Sequence, residues 1–410
     1  MGSSFRLALI HVKRRKRKSR RRRPRTKIPM DVVIGEILTR LPAKSLMRFK
    51  CVSKLWSSLI RSQYFTNRFL AVSSRPRPRL YMCLAELTKS SSTVISAPQT
   101  SCSSFVVDHG LTAPRVGGYI WQNLRGFMCY TFYRKPRIYN PATRQLVTLP
   151  PVKSDFIPPD PWEHVQAISY YFGHDPVNDQ YKVICSVAPN IMIMPEHWVF
   201  VLKARGSWKK MAPLTTPDFC PHIPAPTRRG LSINGVIYYL VLIDLYVYAV
   251  VSFDIRSEEF KMIRVPRRDH EDGLIPGRVN KVSLMEYDGK VIVLDSNHLT
   301  GKGMLDLWVL ENAGNKEWSR KTLVLRPSQL HLVDNLIFKV GCTTQSGKVF
   351  FVPYNLLSPF RILCYDLPKN DMTKIEIKGI PDHWFSNDKT NTRFELMFMD
   401  QSESILYLDI

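Results

Sequence analysis

Residues Ile28 to Leu70 read IPMDVVIGEILTRLPAKSLMRFKCVSKLWSSLIRSQYFTNRFL, and their apolar spacing is that of three short helices sharing one oily side. Val33, Ile37 and Leu41, flanked by Ile34 and Leu38, recur at helical intervals. Leu41-Pro42 ends this first helix, because a residue before proline is steered away from the α region. A second helix starts at Pro42, where a missing N–H is no loss. It carries Ala43, Leu46 and Phe49 on one side and Lys44, Arg48 and Lys50 toward water. A third sets Val52, Trp56, Leu59 and Ile60 on one face, with Ser53 as its cap and Phe65 and Phe69 extending it. Three helices in about 40 residues bury too little surface to stand alone. Their common face needs either the rest of the chain or a second protein, and a tryptophan among leucines and isoleucines has the composition of a binding hot spot.

The linked residues Ile28-Pro29, Asp31, Glu36-Ile37-Leu38, Arg40-Leu41-Pro42, Lys44-Ser45-Leu46, Arg48-Phe49, Cys51-Val52-Ser53-Lys54 and Trp56 together resemble an F-box. In that family the segment docks onto the Skp adaptor of a cullin-based ubiquitin ligase. The resemblance implies an adaptor-binding set of Pro29, Val33, Ile37, Leu38, Leu41, Pro42, Leu46, Phe49, Val52, Trp56, Leu59 and Ile60. One spacing departs from the pattern. Proline and aspartate stand six and four residues before the family's Glu-Ile-Leu glutamate, whereas Pro29 and Asp31 stand seven and five before Glu36. Gly35 is the extra residue. A helical glycine costs about 1 kcal/mol relative to alanine, and one added residue turns what precedes it by about 100°. The docking face is therefore assigned from Glu36 onward, with Ile28 and Pro29 expected out of register.

Outside this segment the charge is uneven. The 410 residues carry a net +25, and thirteen basic residues with no acid fall in residues 1–27. The run Lys13, Arg14, Arg15, Lys16, Arg17, Lys18, Arg20, Arg21, Arg22 and Arg23 has no apolar face to bury and is expected to be a disordered tail. It has the composition of a nuclear localisation signal, so the nucleus is the expected compartment, with the cytoplasm as a second. No aromatic residue interleaves with the arginines, which argues against stacking on single-stranded nucleic acid. The apolar patch Phe5 to Val12 precedes the basic run, the reverse of a secretory signal. Eight cysteines without a CxxC pair read as free structural thiols. Val236 to Phe253 is apolar enough for a membrane span, but Asp244 at its centre and its Val, Ile and Tyr content favour two buried strands. No membrane association is expected.

Residues 71–103, rich in Ser, Pro and Arg, read as a linker that includes one apolar island at Leu80 to Leu87. From Ser104 to Ile410 the pattern is all-β. A polar-glycine turn leads into an apolar strand at Asn234-Gly235, Asp288-Gly289 and Ser346-Gly347, and a strand pair follows each, at 250–266, 305–325 and 362–380. Weaker copies lie at 137–151, 170–185 and 198–211. A period near 50 residues is that of propeller blades. This half is similar to the F-box-associated domain of plant F-box proteins, itself kelch-like. The matching residues are Tyr139 to Thr143 with Leu149-Pro150, Phe172 to Asp175 with Asp179, Tyr181 to Val183, Trp208, Asn234-Gly235, Ser252 to Asp254 and Trp318. The expected fold is thus α+β multidomain: a basic tail (1–27), a three-helix F-box (28–70), a linker (71–103) and a propeller of about six blades (104–410). Residues 402–410 and 104–110 are the expected closing strands.

No HExxH, GxSxG, GxGxxG or Cys/His set with metal spacing occurs, so neither metal nor cofactor nor catalysis is expected. The resemblance implies the substrate-recognition subunit of a Skp-cullin-F-box ubiquitin ligase. Its partners would be the Skp adaptor, cullin and RING subunits through it, and a target protein held by loops such as 153–166, 212–229 and 267–279. The alternative from a different class is a nuclear nucleic-acid-binding propeller using the basic tail.

Overall fold

The computed structural model describes residues 29–72, 79–86, 91–101, 103–109, 112–114, 116–132, 134–157, 168–214, 218–244, 247–266, 281–334, 337–385, 392–399 and 404–408. The basic run Lys13 to Arg23 and Ile28 lie outside this set.

The N-terminal helices follow the sequence pattern with two differences. The first is a short α-helix (Met30–Val32), a π stretch (Val33–Ile37) and a 3₁₀ turn (Leu38–Arg40) in succession. A π turn accommodates one extra residue without rotating what precedes it, which is how the helix absorbs the insertion at Gly35. Leu38 N–H reaches both Ile34 and Val33 carbonyls, and Thr39 Oγ1 donates to the Gly35 carbonyl at 2.7 Å. The second difference is that the expected third helix is two, Lys54–Arg61 and Gln63–Val72, broken at Ser62 by its extended backbone. Ser62 Oγ accepts from Phe65 N–H, a cap that stabilises a new helix start. Ser53 caps as expected, accepting from Trp56 N–H at 3.2 Å.

The remaining described residues form six antiparallel blades. Their innermost strands are Tyr119–Leu124, Ile168–Asp175, Gly230–Ile233, Val282–Tyr287, Phe338–Thr343 and Thr392–Met399. Each touches the next and the last touches the first, which closes the ring. Six separate apolar clusters fill the six junctions between neighbouring blades, so the core is distributed around the ring. The run Val236 to Phe253 is a buried hairpin within blade 3 (Val236–Asp244 and Val247–Asp254).

Closure differs from expectation. The sixth blade pairs Thr392–Met399 with Arg79–Glu86, and Arg79–Glu86 with Ser91–Ser101. The segment read as a linker therefore contains two full strands. Ser104–Val106 lies at the outer edge, parallel to Asp371–Lys378 of blade 5 and antiparallel to Ser91–Ser101. Residues 404–408 form no strand. Ile405 is buried among the N-terminal helices, whereas Leu406 and Leu408 pack into the junction of blades 1 and 2. Their alternation serves two different cores, and side-chain amides take the place of a strand neighbour. Asn140 Nδ2 donates to the Ser404 and Leu406 carbonyls at 3.0 and 2.9 Å, and Gln145 pairs with both polar groups of Leu408.

Candidate functional site

The helical domain sits on the face of the ring where the tight hairpin turns lie. Arg125, at positive φ in the first turn of blade 1, donates to Asp179 at 3.1 Å and Tyr181 Oη at 2.8 Å in blade 2, and to Asn67 Oδ1 at 3.0 Å in the last helix. Gln63 of the same helix donates to Asp179. Burial raises the Asp179 carboxyl, but hydrogen bonds from His174, Gln63 and Arg125 outweigh it and hold the group below its usual range, as a charged anchor. Gly126, also at positive φ, lies so close to Ser404 that a Cβ would collide with it, so the turn and residues 404–408 are in direct contact. Tyr407 turns toward the helices. Lys50 Nζ lies 3.9 Å from its ring centroid and its hydroxyl donates to Met47 Sδ at 3.4 Å.

With one flank cemented in this way, the helical domain leaves other apolar side chains in water. Val52 is 66%, Leu55 63% and Ile37 43% exposed, with Met30 and Val32 similar. On the ring, the connections between successive blades join strand ends on the opposite face, since the outer strand of each four-stranded blade ends where the next inner strand begins. Of these connections the structure describes residues 149–157, 211–214, 218–229, 265–266, 325–334 and 379–385, and the expected target-holding loop 267–279 and most of 153–166 lie outside the described residues. One face of the ring thus holds the helices and the other the longer loops.

Cys83, Cys129, Cys185, Cys342 and Cys364 are buried packing residues, whereas Cys51 is exposed. Burial pushes the Cys83 thiol up to about 12 and Cys364 up to about 11, with Cys129 and Cys185 also raised by burial. Such thiols are poor nucleophiles. Among the described residues, no group of three or more His, Cys, Asp or Glu side chains is placed to hold a metal ion, and no helix is long and apolar enough to cross a membrane.

An F-box domain model matches residues 29–68, and a model of the F-box associated beta propeller domain matches residues 79–402. The chain belongs to this F-box-associated propeller family. It is 46% identical over 385 residues to an F-box/LRR-repeat protein of Arabidopsis thaliana, across 92% of this chain and 86% of that one. An F-box protein of the same plant is 44% identical over 410 residues, across 96% of this chain and 98% of that one. An F-box/kelch-repeat protein is 40% identical over 458 residues, across the whole of both.

Within the F-box, the twelve residues singled out by sequence divide into three groups. Leu38, Leu46 and Ile60 are buried in the domain's own core, with Ile34, Ala43, Phe65, Phe69 and Ile405, and have no surface to offer a partner. Val33, Leu41, Phe49, Trp56 and Leu59 are partly buried against that core, with Phe49 and Trp56 rings 5.9 Å apart. Pro42 is half-buried, at the edge of the cleft facing the propeller. Pro29, Ile37 and Val52 are exposed. The exposed apolar residues Met30, Val32 and Leu55 are not among the twelve; helical spacing marks the stripe facing the domain's own core, and Leu55 lies off that stripe. Lys50, expected in water, is half-buried over Tyr407.

Proposed function

We propose that this chain is the target-holding subunit of a Skp-cullin-F-box ubiquitin ligase: the F-box docks on the Skp adaptor, which links it to cullin and RING subunits, and the loop face of the propeller holds the protein to be modified. The observation that carries this reading is the exposed apolar set Ile37, Val52 and Leu55 on an F-box whose other flank is fixed to the ring. A partner that covers these side chains removes apolar surface from water at about 25 cal/mol per Å². The chain performs no chemistry on this reading. It contributes proximity, raising the effective concentration of target lysines near a ubiquitin thioester carried elsewhere in the complex. Co-purification tests it: the full chain retains a Skp-family adaptor, and Val52→Asp with Leu55→Asp abolishes retention. Failure of the unaltered chain to retain any such adaptor removes the mechanism. Nuclear import through Lys13 to Arg23 is part of the same proposal. Replacing these residues with serine moves a fluorescent fusion out of the nucleus.

A further inference from the structure

We propose that the cleft between the F-box and the propeller is a binding site for a compact small molecule carrying several phosphate groups. The cleft has a volume of about 790 Å³, within the span of about 300–1,000 Å³ typical of small-molecule sites. Among the described residues its charged lining is mostly basic. Lys44, Arg48 and Lys50 come from the second F-box helix and its end, Arg61 from the third, Arg79 from blade 6 and Arg144 from the turn between the last two strands of blade 1. Against these six cations stands one acid among the described lining residues, Asp108, and it already faces Arg79 at 3.6 Å.

A row of lysines on one helix is ordinarily a solvated face. Here the cations come from four separate elements in two domains and surround one concavity, which concentrates their field. Like charges gathered around a cavity repel one another, and an anion lodged among them relieves that repulsion. Ser45, Ser57 and Thr143 add hydroxyl donors on both walls. Guanidinium groups bind phosphate oxygens through paired N–H donors; Arg48, Arg61 and Arg144 line the cleft, while Arg79 there is already held by Asp108 and by Ser96 Oγ at 3.1 Å. A single phosphate satisfies few of these groups, whereas a compact polyphosphate reaches both walls. Its binding ties the F-box to the ring, so it sets the stiffness of the joint between them.

The test is a thermal unfolding titration of the full chain with inorganic tripolyphosphate and, separately, inorganic phosphate. Only a ligand that binds the folded state better than the unfolded one raises the midpoint. Tripolyphosphate is expected to raise the midpoint saturably and inorganic phosphate to do so only at far higher concentration. In Arg48→Gln with Arg61→Gln, the concentration for half the shift is expected to rise at least about tenfold. Lys321→Gln, on the exposed outer strand of blade 4, leaves it unchanged. If the double variant is misfolded by circular dichroism, Lys44→Gln, at an exposed position, reads the same loss. No saturable shift in the unaltered chain, or an equal shift in the variants, overturns the proposal.

Discussion

The side-chain amide of Gln122 in blade 1 is joined at both ends to the backbone of Phe172 in blade 2: Nε2 donates to its carbonyl at 2.6 Å, and Oε1 accepts from its N–H at 2.9 Å. Both inner strands lack a strand partner on the axial side, so the amide completes the pairing that a further strand would have supplied. Gln122→Leu keeps the volume but leaves two buried backbone groups unpaired. The expected loss is about 2–4 kcal/mol, read as a lower urea midpoint.

Ile405 ties the ring to the F-box from inside the helical core. Ile405→Ala is expected to lower the local stability of that domain by about 2–4 kcal/mol. Hydrogen exchange should rise across residues 30–72 while the blades keep their protection.

Two histidines at the junction of blades 2 and 3 give stability a dependence on acid. Burial pushes His197 down to about 3 and His222 down to about 4. His197 lies 3.2 Å from the Tyr239 hydroxyl, and His222 donates from Nδ1 to the Cys220 carbonyl at 2.8 Å. Both stay neutral in the fold, whereas the unfolded chain takes up their protons below about pH 6.5. Their contribution is fully present above that pH and is lost as pH falls toward the folded values, at up to about 1.4 kcal/mol per pH unit for each. Urea unfolding at pH 7.5, 6.0 and 5.0 should show this slope, and His197→Phe should flatten it.

Exposed and buried F-box leucines should separate binding from folding. Val52→Asp with Leu55→Asp removes adaptor retention and leaves the unfolding midpoint within about 0.5 kcal/mol of the original. Leu46→Ala loses retention through the fold, with about 2–5 kcal/mol of destabilisation.

The parts of the molecule visible in the sequence are those whose signals are local. Asn234-Gly235 and Asp288-Gly289 take positive φ at both residues, as the polar-glycine turns require. The equivalent turn in blade 1 is Arg125-Gly126, where arginine masks the same backbone, and so its interdomain role was invisible. The sixth blade was hidden because its strands come from opposite ends of the chain, and Ser91–Ser101 is too rich in serine to resemble a core strand. The extra residue at Gly35 was legible as an insertion. Its accommodation was not, since a π turn depends on hydrogen bonds that spacing does not encode. Helical periodicity marks apolar side chains without separating core from surface, so the set it singled out includes Leu38, Leu46 and Ile60, which are buried in the domain's own core.

Residues 404–408 follow every described blade in the chain, yet they fasten the helices that precede the blades. While the chain is still growing, the F-box lacks Ile405 in its core and Tyr407 beneath Lys50. A chain that ends before residue 404 therefore leaves the helical core without Ile405 and Lys50 without the Tyr407 ring.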